Sequence, residues 1–498
     1  MIIEGLLSVL NPTTFLVMFL GTVVGIIFGS IPGLTSTMAV ALCLPLTFGM
    51  TPLNGISLLI ALYVGGTSGG LISAILLKIP GTPSSVATVF DGGPMAERGE
   101  ASKALGVGIL YSFIGTVLSI IALIFIAPSL AKIALKFGPY EYFAICLFAL
   151  TMIVGMVGDN VLKGLASALI GVTFSLAGIA SIGGAFRFTF GFVEMENGFE
   201  LLPVLIGLFA VAEIFSIASA GTKRDKMEIA EYKMKGFGVS LKEFKEQFGN
   251  MMRSALIGIG IGILPGIGGA TSNIVAYSAA KQQSKHPEQF GTGCIDGIVA
   301  SETSNNASIG GALIPLLTLG IPGDTVTAMI LGGLTLHGIQ PGPLLFKNSG
   351  VLVYGIFAAF LVSTIMMLIV EYGGLRVFVK ILSVPKHILL PVIMVFCVIG
   401  TYGVNHRVFD IWTALFFGVL GFFLVRHKFP QAPIILGFVL TPIVEENLIR
   451  GMQYSNNNFL VFFSSPIALV FMLLTVAVLV FTVIKEIKTR KEKKAAIS

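Results

Sequence analysis

Hydrophobic residues do not alternate with polar ones along this chain; they come in long, nearly unbroken runs. TTFLVMFLGTVVGIIFGSI, ALGVGILYSFIGTVLSIIALIFIA, YEYFAICLFALTMIVGMVG, VLVYGIFAAFLVSTIMMLIV and FLVFFSSPIALVFMLLTVAVLVF are among them. Each is close to the roughly 20 residues that carry an α-helix across the hydrocarbon core of a bilayer. Lipid offers no partner for a bare peptide group and forbids open sheet edges, so the pattern predicts an all-α polytopic membrane protein. The first run begins near residue 13 with no basic stretch before it and no small-residue cleavage site after it, so it reads as a retained helix and not a signal peptide.

The polar positions collect where these helices break. GILPGIGGATSN (262–273) ends the run ALIGIGIGIL with Pro265 and four glycines, and then brings in Thr271, Ser272 and Asn273. The same form occurs earlier: GSIPGLTST (29–37) matches GILPGIGGA (262–270), KIPGTPSS (78–85) matches GIPGDTVT (320–327), GDN (158–160) matches GVN (403–405), and PVLIGLFAVAE (203–213) parallels PIILGFVLTPIVE (433–445). Four matches in conserved order imply an internal repeat. The expected organisation is a first transmembrane repeat over 1–220, a cytoplasmic connector over 221–253, a second repeat over 254–457, an extra transmembrane helix over 458–484 and a basic tail over 485–498. That gives about 12 transmembrane segments plus the extra C-terminal helix, with the Pro-Gly sites forming broken helices or re-entrant hairpins.

Charge sets the orientation. Eight basic residues lie between Lys223 and Arg253, and the C-terminal KEIKTRKEKKAAIS is also basic, so both segments are expected in the cytoplasm. The helix at about 199–219 then starts outside, beside Glu194, Glu196 and Glu200. Its counterpart from about 432 follows Arg426, His427 and Lys428 and starts inside. The two copies are therefore expected to be inverted, with the N-terminus outside, in keeping with the lack of any Lys or Arg before Lys78. Lys132 and Lys136 fall on the outer side in this scheme and run against it.

Composition narrows the function. Of 498 residues 55% are hydrophobic and 11% charged, with mean hydropathy +0.94, against about 25% charged in soluble domains. The net charge of +6 sits in loops and tails, which removes nucleic acid as a partner. Cys43, Cys146, Cys294 and Cys397 are too far apart for a metal site or disulfide framework, and the scattered histidines lack metal-site spacing. The glycine-rich GIGGATS has no lysine and no strand before it, so a nucleotide phosphate loop is not expected.

Inverted repeats with interrupted helices are the architecture of secondary transporters, which bind substrate between the two copies. Pro32 and Pro265 end a helix, and adjacent glycines let backbone approach a ligand. Each break exposes amides that attract anions and carbonyls that attract cations. Candidate substrate positions are Gly33, Thr35, Ser36, Thr37, Thr67, Ser68, Gly81, Thr82, Gly266, Gly269, Thr271, Ser272, Asn273, Asn305, Asn306, Gly323 and Thr325. Glu302, Asn305, Asn306 and Asp324 are candidates for a coupling ion, Na+ or H+, and no other cofactor is expected. For each hydroxyl the competing role is a bond back to its own helix, and for Asp324 it is a helix N-cap.

On these residues the sequence resembles the large membrane subunit of the tripartite tricarboxylate transporters, the TctA family. GSIPGLTSTMAVALCLPLTFGMTP and the long stretch GILPGIGGATSNIVAYSAAKQQSKHPEQFGTGCIDGIVASETSNNASIGGALIPLLTLGIPGD carry the resemblance. It implies a secondary carboxylate importer driven by a Na+ or H+ gradient in the bacterial inner membrane. It also implies two partners, a small membrane subunit of about four helices and a periplasmic substrate-binding protein. The family's polar positions fall on Pro32, Gly33, Pro265, Gly266, Gly269, Glu302, Asn305, Asn306, Pro322 and Gly323. Where the family pattern has Pro-Glu-Ala-Ala-Asn-Asn, this chain has Ser301, Glu302, Thr303, Ser304, Asn305 and Asn306, so citrate does not follow as the substrate. A transporter or channel working without a binding protein, and a membrane-embedded enzyme, remain as alternatives; the latter lacks any nucleophile–base or metal constellation in the sequence.

Overall fold

The computed structural model describes residues 2–156, 161–219, 232, 236–382 and 386–495. The GDN motif at 158–160 and most of the basic connector lie outside the described residues. The first half runs α1 (Ile2–Val9), α2 (Pro12–Ser30), α3 (Ser36–Cys43), α4 (Pro52–Leu76), α5 (Val86–Glu97), α6 (Ala101–Ala134), α7 (Pro139–Met156), α8 (Val161–Ser175), α9 (Leu201–Leu205) and α10 (Ala212–Ser219). A π-helical stretch, Ile206–Val211, joins the last two. The second half runs α11 (Leu241–Ile263), α12 (Gly268–Gln283), α13 (Ile295–Leu319), α14 (Thr325–Leu336), α15 (Pro343–Asn348), α16 (Gly350–Ile381), α17 (Lys386–Asn405), α18 (Val408–Arg426) and α19 (Gln431–Tyr454), followed by α20 (Pro466–Ala495). Among the described residues seven helices are long and apolar enough to cross a membrane, and six shorter apolar helices accompany them. Large apolar side chains such as Phe125, Ile369 and Phe481 stand exposed around the bundle, as lipid-facing residues do.

Helix ends follow local chemistry. Asn11 and Thr51 cap α2 and α4, each followed by a proline that needs no amide partner. Helix α2 stops before Pro32-Gly33, where Gly33 takes φ 94°, and Thr35 then accepts from the amide of Met38 to start α3. Helix α13 closes on Gly320 at φ 73°, whose amide returns to Leu316 while that of Ile321 returns to Pro315. Asp324 then forms a capping box with Thr327. The element order of the two halves thus recurs: a helix, a Pro-Gly break, a shorter helix, a 25-residue helix and a second Pro-Gly break.

Packing is reciprocal between the halves. Helix α6 of the first lies along α13 of the second, and α16 of the second along α4 of the first. Helices α7 and α8 pack on α19, while α18 packs on the α9–α10 segment. Glycines set these contacts by letting backbones touch. Gly25 and Gly29 abut the carbonyls of Leu62 and Gly66 between α2 and α4; Gly258 and Gly262 abut those of Ser304 and Ser308 between α11 and α13. The final helix starts at Pro466 and not at 458 as the apolar run suggested, because Ser464-Ser465-Pro466 interrupts it and leaves residues 459–463 as a separate 3-10 turn.

Candidate functional site

The four breaks converge on one cavity of about 270 Å³. Thr35, Ser36 and Thr37 come from the start of α3, Thr82, Pro83 and Ser84 from the turn before α5, Gly266 to Ala270 from the start of α12, and Asp324, Thr325 and Val326 from the start of α14. Tyr63 and Thr67 of α4, Asn305 and Ser308 of α13, and Ala432 complete the wall. Each break points the amino end of its second segment at the same space. Such ends carry unpaired amides and roughly half a positive charge each, which favours an anion. Among the described residues no Lys, Arg or His lines the cavity.

The side chains here are tied across the halves. Thr37 Oγ1 and Thr325 Oγ1 lie 3.1 Å apart, and the Tyr63 hydroxyl donates to Asp324 Oδ2. Asp324 Oδ1 accepts from the amide and the hydroxyl of Thr327, both at 2.7 Å, so this carboxylate is a helix cap that also faces the cavity. Gly266 donates its amide to the Gly323 carbonyl at 2.8 Å and joins two breaks of the second half. Gly268 needs its φ of 60°, and a Cβ there would meet the Asp324 Cβ at 2.8 Å.

Asn305 is the exception to this pairing. It is fully buried, yet neither its carboxamide oxygen nor its nitrogen has a hydrogen-bond partner. An unpaired buried polar group costs about 1–3 kcal/mol, and one with a donor and an acceptor at a cavity wall is suited to bind a polar solute.

Of the sequence candidates, Thr35, Ser36, Thr37, Thr67, Thr82, Gly266, Gly269, Asn305, Asp324 and Thr325 meet at this wall. The others lie behind it. Gly33 makes the turn itself. Gly81 packs on the Gly29 carbonyl, and Gly323 on Ala312 and the Gly262 carbonyl. Thr271 is partly exposed on α12, Ser272 bonds the carbonyls of Gly269 and Ser304, and Asn273 donates to that of Ser84. Ser68 donates to Glu371 of α16. Glu302 accepts from Thr88 and, at 2.9 Å, from Ser112, while Asn306 contacts Glu302 and Thr116. Tyr63, Pro83, Ile267, Gly268, Ala270, Val326 and Ala432 were not anticipated. A signal existed for Tyr63: sliding the chain so that Pro80 falls on Pro322 lays Tyr63 on Asn305 and Thr82 on Asp324.

Residues 15–436 match the model of the tripartite tricarboxylate transporter TctA family. The chain is 36% identical over 489 residues, 98% of its own length and 97% of the relative's, to an uncharacterized 52.8 kDa protein in the TAR-I ttuC′ 3′ region of Agrobacterium vitis. It is also 36% identical over 233 residues, 47% of its length and 96% of the relative's, to an uncharacterized protein in the TAR-II ttuC′ 3′ region of the same organism. No solved structure matches.

Proposed function

We propose that this chain, which belongs to the tripartite tricarboxylate transporter TctA family, is the large permease subunit of a binding-protein-dependent secondary transporter that imports a small di- or tricarboxylate. Membership of a transporter family makes it a multi-pass membrane transport protein and not an enzyme. Its setting is the bacterial inner membrane, with the N-terminus periplasmic and the C-terminus cytoplasmic. Its partners are a small membrane subunit of about four helices and a periplasmic protein that hands over the carboxylate.

The observation that carries this reading is the convergence of four break-generated helix starts on one cavity whose wall includes the unpaired amide of Asn305. Carboxylate oxygens would take the bare amides and the hydroxyls of Ser36, Thr37, Thr82 and Thr325, and the Asn305 amino group would donate to one of them. The cavity lies just below the ~300–1,000 Å³ typical of drug-sized ligands, which suits a small acid. The repeated element order and the reciprocal packing support two inverted repeats that move against each other in alternating access. Coupling to a Na+ or H+ gradient balances the charge of the solute, since the wall carries no cationic side chain.

The test is uptake of labelled citrate and labelled malate into proteoliposomes containing the complete complex, with Na+ and pH gradients imposed separately. Asn305→Ala is expected to abolish uptake of whichever acid is carried while the protein stays in the membrane. Wild-type rates in this variant would refute the site. Fluxes that ignore both gradients and the binding protein would favour the channel alternative.

A further inference from the structure

We propose that Glu371 of α16 binds and releases the proton that drives uptake, with Glu302 as a second buried carboxylate close to the same cavity; this rests on the transport reading above. Glu371 is the lone acidic residue of a 32-residue apolar helix and is fully buried. Its Oε2 accepts from Ser68 Oγ at 2.6 Å, and its Oε1 has no hydrogen-bond partner. Among the described residues no cation forms an ion pair with it.

The groups around it offer no compensation. Helices α2 and α4, packed against α16, carry no charged residue, and the α4 phenol Tyr63 is taken up by Asp324. Helix α6 bears Lys103 and Lys132 near its two ends and Tyr111 between them; α1 bears Glu4 and α15 bears Lys347. Along α16 itself Tyr354, Tyr372, Arg376 and Lys380 are present. An ionised carboxylate in such surroundings is costly unless something neutralises it. Hard metal cations such as Ca2+ and Mg2+ gather about six oxygens, whereas Glu371 meets one hydroxyl. A proton needs only the bare Oε1.

The two carboxylates are unequally served. Glu302 has the Thr88 hydroxyl, Ser112 Oγ at 2.9 Å and Asn306 Nδ2 at 3.5 Å, drawn from α5, α6 and its own helix. Glu371 has Ser68 alone, so it is the one left for the proton. Both connect to the cavity within a turn of helix: Ser68 follows Thr67, and Glu302 precedes Asn305. Loss of the proton would leave a bare charge in dry surroundings and force either separation of α16 from α4 or entry of water. The proton adds to Oε1 on the outer side and leaves to water on the inner side, with no other bond made or broken.

The test uses Glu371→Gln in the complete complex in proteoliposomes, with labelled citrate and labelled malate. Accumulation driven by an imposed pH gradient is expected to fall about tenfold or more and to lose its pH dependence, while exchange of internal for external acid persists. Infrared spectra of the purified wild-type protein at neutral pH are expected to contain a protonated-carboxyl stretch that the variant lacks. This second readout stands even if neither acid is transported, so it separates failure of the proton site from failure of the carboxylate reading. An unchanged pH profile, loss of exchange together with accumulation, uptake driven by Na+ alone, or absence of the infrared difference would each overturn the proposal.

Discussion

A single methylene separates a usable cavity from a blocked one at Gly269. A Cβ there would lie 2.7 Å from Asn305 Oδ1 and 3.1 Å from Ser308 Oγ, pushing the unpaired amide out of place. Gly269→Ala is therefore expected to cut initial uptake by about tenfold while leaving the thermal unfolding temperature of the solubilised protein nearly unchanged. Equal loss in both measurements would make the glycine a packing residue only. The residues that line the cavity were readable where they sit directly on a Pro-Gly break, as Thr35, Thr82 and Thr325 do. Ser272 and Asn273 misled for a helical reason: each step along α12 turns about 100°, so these side chains point back to α13 and to the Ser84 carbonyl. Tyr63 and Glu371 were hidden within or beside apolar runs, where one aromatic or one acid reads as packing or as a run's end.

At the scale of elements, the glycine seams determine how closely helices pack. Gly29→Ala would set a methyl against the Gly66 carbonyl, and Gly258→Ala would do the same at Ser304. Each is expected to destabilise the detergent-solubilised protein by about 1–3 kcal/mol, measurable by thermal or denaturant unfolding. A second element-level tie joins α6 to the start of α11: Lys103 Nζ lies 2.6 Å from Glu243 Oε1. The hydrogen bond from Lys103, then the amide and hydroxyl of Ser240, hold the Glu243 carboxyl down at about 2. Because the folded value is depressed, the stabilisation is present above about pH 4.5 and is lost as pH falls toward 2. Lys103→Met should therefore flatten the acid limb of the unfolding temperature measured against pH; an unchanged limb would show the pair contributes nothing. Helix ends were legible where caps or Pro-Gly pairs mark them. The short α1 and the π-helical turn at 206–211 carry no such marks, whereas the start of α20 does carry one, Ser465-Pro466, set within an otherwise apolar run.

For the whole molecule, the decisive arrangement is that each half supplies a wall to the other. The alternating access proposed above would require the breaks of the two halves to part and rejoin. Thr37 and Thr325, one from each half, touch across the cavity with their Oγ1 atoms 3.1 Å apart, so thiols in their place would lie beside each other. A Thr37→Cys, Thr325→Cys double variant is expected to lose uptake on oxidation and regain it on reduction. Uptake that persists with the crosslink formed would mean these breaks do not separate during the cycle. In the sequence PGL and PGI, IPG and IPG read as two copies, but which helix of one half sheathes which helix of the other depends on long-range packing that no local pattern encodes.

That mutual sheathing has a consequence during synthesis. Ser68 and Glu371 are 303 residues apart, so at about 5–20 residues per second the hydroxyl emerges roughly 15 to 60 seconds before the acid that will accept its hydrogen bond. Throughout that interval α4, with its hydroxyl-bearing flank and its many glycines, faces lipid or an insertion chaperone instead of α16. The newborn first half is thus an incomplete object that must be kept from wandering or from pairing with a neighbour's, and the cell's insertion machinery has to shelter it until the second half arrives.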